Sequence, residues 1–369
     1  MSQKRTDIKR IFLFGFSRWK HNYIKPFLTE YSNAKICFIN PIYASEYDLA
    51  CRKGLKKYSD VEIFIWGRKE FAEVQEFARA NNIKITRVED GFIRSVALGS
   101  DLTQPYSQVF DDVGIYFDAT CPSKLENILN YYKFDRKLLE QANTLIAKLR
   151  NSKLSKYNKD AHRELNLPTK MRKILVPGQV ENDASIKFGG GGMTNLELLK
   201  KVRQAKPNEY IIYKPHPDVL SGNRLGNVPE DQALQYCDEI ITNVSMASVL
   251  SVVDEVHTIT SLTGFEGLLY AKDVYTYGMP FYAGWGLTND ALVESRRQRK
   301  LSLTELVAAT YLIYPSYIHP NTLKPCSAIE LINELIKLQQ SPFPKYSSKS
   351  RAAYAGVMLY LQRVLKKSK

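Results

Sequence analysis

The chain has 369 residues, with 52 Lys and Arg against 38 Asp and Glu and a formal net charge of +14. That length suits two ordinary domains, and 44% hydrophobic with 24% charged residues exclude disorder over most of it and exclude a small stapled scaffold. The charge leaves three partner classes to be told apart: nucleic acid, an anionic membrane surface, or an anionic small-molecule substrate.

The start, MSQKRTDIKR, lacks the apolar core of a signal peptide, and no run approaches the roughly 18 to 20 apolar residues of a membrane span. Short apolar runs then alternate with helical stretches: RIFLFGF (10–16), AKICFIN (34–40), VEIFIWG (61–67) and IKITRVEDG (83–91). This is the pattern of parallel sheets with helical crossovers. The fourth run closes on Glu89-Asp90-Gly91, followed by Phe92, Ile93 and Arg94. Two carboxylates beside a glycine at a strand end suit proton transfer, each able to raise the pKa of the other; a turn with solvated acids is the competing reading. Asp111-Asp112, beside Gly114 and without a nearby His or DxD spacing, is expected to be a turn rather than a metal site. The five cysteines, Cys37, Cys51, Cys121, Cys237 and Cys326, include no CxxC pair, which argues against a disulfide framework and a zinc site. A reducing, cytoplasmic location is expected.

A Lys-rich helical stretch (137–173), ended by Pro168 before a new strand, separates this group from a second: KILVPGQ (173–179), YIIYKPHP (210–217) and DEVHTITS (254–261). The fold class is therefore α/β, with Rossmann-like domains at 1–150 and 173–335, a connection at 151–172, the ligand cleft between the domains, and a basic amphipathic tail at 336–369.

Each second-group strand ends in chemistry-bearing residues. After the first comes Gln179-Val180-Glu181-Asn182-Asp183-Ala184-Ser185, then Gly189 to Gly192. Asp183 could attack an anomeric carbon or act as a base; capping the next helix is the alternative. Lys214-Pro215-His216-Pro217 sets a histidine between two prolines, with a cation two residues before it, a group able to steady a phosphate leaving group. Ser261, Thr263 and Gly264 open a helix and make a phosphate seat, with Glu266 placed either to accept from ribose hydroxyls or to complete a capping box. Tyr282 and Trp285, in a Gly-rich aromatic loop, are candidates for stacking on the acceptor. The run Arg296, Arg297, Arg299, Lys300 is expected to be a solvated face.

An acidic pair with Gly, then His-Pro, then a Ser/Thr pair before a helix, over two Rossmann-like halves, resembles the CMP-sugar transferases of GT-B architecture. The segments EDGFIRSVALGSDL, GIYFDATCPS, SKLSKYN, ILVPGQVENDASI, NLELL, YKPHPDVLSGNR, TSLTGFEGLLY, YGMPFYAGWGLT and YPSYIHP, over about residues 85 to 320, resemble the KpsC-type capsule proteins, retaining β-Kdo transferases, and the C-terminal one of their two modules in particular. The resemblance implies a CMP-β-Kdo donor bound by residues 173–335 and transfer with retention onto a Kdo-containing or lipid-linked glycan held on the 1–150 side. Asp183 would be the nucleophile, Glu89 and Asp90 acid/base groups, and His216 the stabiliser of departing CMP. Gln179, Ser185, Lys214, Ser261, Thr263, Gly264, Glu266 and Arg94 would hold the donor. Arg94, Lys187, Lys214 and Arg224 would attract its phosphate and carboxylate, with no cofactor and no metal. A partner transferase and an anionic membrane surface, met by the tail, are the further expected partners. The alternatives are an inverting transferase of the CMP-sialic-acid type and a basic nucleic-acid-binding module. The latter lacks any RNP, helix-turn-helix or zinc signature.

Overall fold

The computed structural model describes residues 8–93, 104–152, 165–222 and 224–340. Arg94, residues 153–164 of the Lys-rich stretch and residues 341–369 of the basic tail lie outside the described residues.

The first four apolar runs form β1 (Arg10–Phe14), β2 (Lys35–Ile39), β3 (Val61–Trp66) and β4 (Ile85–Asp90), parallel in the order β2-β1-β3-β4. Ile11, Phe12, Leu13 and Phe14 are all fully buried, as befits a parallel strand covered on both faces. A strand absent from the sequence expectation, β5 (Ser107–Asp111), adds antiparallel to β4, with Glu89 opposite Val109 and Asp90 opposite Gln108. The second group forms β6 (Lys173–Pro177), β7 (Tyr210–Lys214), β8 (Glu239–Ile240), β9 (Glu255–Thr258), β10 (Asp273–Thr276) and β11 (Asn289–Asp290), all parallel in the order β11-β10-β9-β6-β7-β8. Finally β12 (Pro315–Tyr317) pairs antiparallel with β5, so the chain returns to the outer edge of the first sheet from within the 173–335 range. One apolar cluster serves both halves, joining Phe92, Val109 and Leu145 to Val256, Phe265 and Leu335.

Each sheet has a switch point, β1/β3 in the first and β6/β9 in the second, where successive connections leave in opposite directions and open a crevice at the carboxyl edge. These two edges face each other. Arg68, just beyond β3, sets its guanidinium 5.0 Å from the ring of Phe188, which lies beyond β6, and its Nε 2.5 Å from Asp118. The Ala119 N–H donates to the Phe188 carbonyl at 3.3 Å. Burial alone would raise the Asp118 carboxyl, but hydrogen bonds from Thr120 and Arg68 outweigh it and hold it below the ordinary range. The result is a GT-B-like pair of Rossmann-like sheets.

The opposite, amino edge of the second sheet carries a buried charge cluster. Glu255, 1% exposed, accepts from His257 Nε2 at 2.8 Å, from Lys206 at 3.0 Å and from Arg172. Burial by itself raises this carboxyl, yet the bonds from His257 and Lys206 bring it down to about 2. Burial also pushes His257 below its ordinary value. Both groups thus bind protons less readily folded than unfolded, so stability is full above about pH 6.5 and falls as pH drops. The Glu255 share, about 3 kcal/mol, is lost between roughly pH 4.5 and 2. Urea midpoints measured across that window should fall steeply for the wild type and much less for Glu255→Gln; parallel curves would mean that this carboxylate is not the source.

Candidate active site

At the β6/β9 switch point a chain of hydrogen bonds ties the residues singled out in the sequence. Asp183 is the N-cap of the helix Ala184–Gly189: its Oδ1 accepts from the Ser185 N–H at 3.0 Å and from the Ser185 hydroxyl at 2.9 Å. The Ser185 hydroxyl accepts from Thr260 Oγ1 at 3.4 Å, which in turn accepts from Gln179 Nε2 at 3.0 Å. Gln179 Oε1 then takes the Thr260 N–H at 2.9 Å and the Thr258 hydroxyl at 3.3 Å. Thr258 Oγ1 accepts the Ser261 N–H at 3.1 Å, and Ser261 caps the next helix, Leu262–Leu269, by accepting from the Thr263 N–H at 3.2 Å. Capping and chemistry are therefore not rival roles for Asp183. The cap fixes Oδ1, while Oδ2 lies 3.9 Å from Arg224 and the side chain is 49% exposed.

Gln179 is a correction to the expected donor contacts. It is 6% exposed and both ends of its amide are engaged by Thr258 and Thr260, while its backbone N–H and carbonyl are bound by the Asn195 side chain at 2.9 and 2.8 Å. It positions the two loops relative to each other rather than offering hydrogen bonds to a ligand. Asn195, also bonded to the Gly226 carbonyl at 2.8 Å, is a second tie that sequence reasoning missed. Its only local signal is Thr194, which caps the same helix.

His216 caps the short helix Pro217–Leu220, its Nδ1 accepting the Asp218 N–H at 3.1 Å. The neutral ring therefore carries its proton on Nε2, the form that donates. The turn that holds it crosses Gly178 so closely that a Cβ there would stand 2.8 Å from the Tyr213 hydroxyl and 3.2 Å from the His216 nitrogen. Lys214, 5% exposed, ends β7 beneath it. Of the other expected cations, Lys187 is exposed and Arg224 stands beside Asp183.

The aromatic loop differs most from expectation. Tyr282 and Trp285 are fully buried and present no face to an acceptor. The Tyr282 hydroxyl donates to the Ser261 carbonyl at 2.5 Å, and its ring fills the space where a Cβ on Gly264 would lie 2.2 Å from that oxygen. Gly264 is thus required by the tyrosine that braces the Ser261 turn. Trp285 donates to the Phe281 carbonyl at 2.8 Å. Thr263 and Glu266 are buried too, and Glu266 stands two residues past the capping-box position, held here by Gly264; it lines a small cavity with Phe92, Tyr270 and Tyr311. The Ser261 and Thr263 hydroxyls lie 3.1 Å apart at the helix N-terminus.

On the facing edge, strand alternation sends Glu89 and Asp90 to opposite faces of β4, so they do not form the mutually repelling pair expected. Glu89 Oε1 accepts the Asp90 N–H at 2.9 Å, while Asp90 lies 4.0 Å from Lys20. The cationic run is also reassigned. Arg296 and Arg297 both grip Glu126, at 2.8 and 3.1 Å, and Arg297 further donates to the carbonyls of Pro280 and Ala283, fastening the aromatic loop to the helix Lys124–Tyr131. Arg299 donates to the Tyr132 carbonyl at 2.7 Å and pairs with Glu305. Among the described residues, no three His, Cys, Asp or Glu side chains converge as a metal site, and no helix is long and apolar enough to cross a membrane.

Comparison with known proteins gives a consistent set of relatives. The model of the family described as capsule polysaccharide biosynthesis protein matches residues 62–164 and 131–317. The capsule polysaccharide modification protein LipA of Neisseria meningitidis serogroup A is 45% identical over 328 residues, which are 89% of this chain and 45% of that protein. The chain thus spans about half the length of that relative. The lipopolysaccharide-processing protein LpsZ of Rhizobium meliloti is 37% identical over 313 residues, covering 83% of this chain and 70% of LpsZ. Two solved structures of Thermosulfurimonas dismutans KpsC align closely. The beta Kdo 2,7 transferase has a TM-score of 0.70 at 42% identity, covering 90% of this chain and 100% of that one. The beta Kdo 2,4 transferase has 0.75 at 32%, covering 89% and 98%.

Proposed function

The chain belongs to the capsule polysaccharide biosynthesis protein family, and from that premise we propose that it is a retaining glycosyltransferase that moves β-Kdo from CMP-Kdo to a Kdo-containing or lipid-linked glycan in capsule or surface polysaccharide assembly. The observation that carries this reading is the Asp183 carboxylate at the β6/β9 switch point, one oxygen fixed by Ser185 and the other presented beside Arg224. A carboxylate fixed in such a crevice is suited to attack an anomeric carbon.

In the first displacement Asp183 Oδ2 bonds to the Kdo anomeric carbon as the bond to the CMP phosphate oxygen breaks, and that oxygen keeps the electron pair. His216, donating from Nε2, Lys214 and the Ser261 to Thr263 turn stabilise the departing phosphate. In the second, an acceptor hydroxyl attacks the same carbon, the Asp183 carboxylate leaves, and the hydroxyl proton passes to Asp90 or Glu89. Two inversions give retention. This chemistry needs no cofactor or metal. The basic tail adds affinity for an anionic membrane surface, about 1 kcal/mol for each Lys or Arg near it, which would keep the enzyme peripheral on the cytoplasmic face. A separate transferase acting before or after it completes the proposed set of partners.

The test is incubation with CMP-Kdo, generated in place, and a panel of β-Kdo-terminated and neutral acceptors, followed by determination of linkage and anomer. A β product is expected. An α product would establish inversion and remove the covalent intermediate, and absence of transfer to every acceptor would remove the activity.

A further inference from the structure

The helix Lys124–Tyr131 has a face that the mechanism above does not use. Leu125 and Leu129 are fully buried in the core, whereas Asn127, Asn130 and Tyr131, at helical spacing, share the opposite side and line a hollow of about 400 Å³. Ser295, Arg296 and Gln298 form its other wall. Hydrogen bonds hold the two walls together: Asn130 Nδ2 donates to the Arg296 carbonyl at 2.9 Å, and Arg296 Nε donates to Glu126 at 2.8 Å. Much hydrogen-bonding capacity remains. Gln298 uses only its Nε2, on the Ser295 carbonyl at 3.3 Å, and among the described residues the side chains of Asn127, Ser295 and Tyr131 have no hydrogen-bond partner. Tyr131 is 76% exposed, and its ring packs against no other ring or cation among the described residues.

We propose that this hollow binds a neutral oligosaccharide, apart from the Asp183 site. The inference goes beyond the transferase reading and does not depend on it. A carboxamide donates and accepts at once, which matches neighbouring sugar hydroxyls, and the Asn127 amide, the free oxygen of Gln298 and the Ser295 hydroxyl offer both kinds of group. The Tyr131 ring offers the flat apolar surface that a pyranose covers with its C–H groups. The volume lies within the roughly 300 to 1,000 Å³ of small-molecule sites. Charge decides between neutral and acidic sugars. Arg296 pairs with Glu126 and Glu294, and Arg297 with Glu126, so two cations meet two acids and no excess of positive charge draws a carboxylate. Arg296 also links the hollow to the transfer site: it donates to the Ala119 carbonyl at 2.7 Å, and the Ala119 N–H reaches Phe188 on the helix that Asp183 caps. A glycan held here is kept close to the cleft whether or not its end is reacting.

Calorimetric titration of the full chain with cellotriose, chitotriose and β-1,4-galactotriose, and with trigalacturonate as an acidic counterpart, tests the site without requiring turnover. At least one neutral trisaccharide should bind the wild type. Tyr131→Ala should weaken that binding by about tenfold and Asn127→Ala by about fivefold, while Tyr131→Phe, which keeps the ring, should retain it. Both residues are exposed and without hydrogen-bond partners among the described residues, so these variants should melt like the wild type and a lost affinity reports a lost contact. Any affinity for trigalacturonate should be the same in all four proteins. No binding of any neutral trisaccharide, or neutral binding that Tyr131→Ala and Asn127→Ala leave intact, overturns the proposal. Trigalacturonate weakened by Tyr131→Ala as much as the neutral sugars overturns the choice of a neutral ligand. Neutral binding at these residues in a protein that transfers nothing from CMP-Kdo would leave the site standing and count against the transferase reading alone.

Discussion

Replacing Asp183 with alanine is expected to lower Kdo transfer at least about a thousandfold, since the carboxylate that forms the proposed covalent intermediate is gone. CMP binding should change less than about threefold. Alanine also removes an N-cap, at a cost of about 1 kcal/mol, so lost activity could be confused with lost structure. Asp183→Asn separates the two. Its amide oxygen still accepts from Ser185 and asparagine caps about as well as aspartate, but it cannot act as a nucleophile. The expected result is an asparagine variant that melts like the wild type and transfers as poorly as the alanine one. Wild-type rates in Asp183→Asn would reduce this residue to a cap.

The second large effect concerns stability. The Arg297 side chain is 3% exposed and that of Glu126 7%, and burial leaves the guanidinium below its ordinary pKa despite the carboxylate beside it. Glu126→Gln should cost about 3 to 5 kcal/mol in urea unfolding, because it takes from a buried guanidinium the carboxylate it is bonded to. Glu305→Gln, which breaks the more exposed pair with Arg299, should cost less than about 1 kcal/mol. Equal losses in the two variants would show that burial of the Glu126 pair is not what sets its weight.

The sheets were legible in the sequence where strands are covered on both faces. RIFLFGF and KILVPGQ are continuous apolar runs because no residue of a doubly covered parallel strand can face water. Strand β5 was not legible. Its Ser107, Gln108 and Asp111 are polar yet buried, and Asp111 is satisfied by the Tyr314 hydroxyl, 203 residues away, together with the Val113, Gly114 and Lys124 amides. In the site, Asp183, His216 and Ser261 stood out because each follows a strand end, a place defined locally. The roles of Tyr282 and Trp285 depend on distant partners: the absent side chain of Gly264 makes room for one, and Arg297 packs 5.7 Å from the other. Counting aromatics beside glycines cannot register either. Gln179 failed for a related reason, because its hydrogen-bonding capacity is consumed by Thr258 and Thr260, about eighty residues further on.

The return of β12 to the first sheet constrains how the enzyme can move. The chain passes between the halves once on the way from β5 to β6 and again on the way from β11 to β12. Two covalent crossings define a line, whereas one would define only a point. Relative motion of the two halves is therefore tethered at two places, and the apolar cluster they share would have to open for them to part.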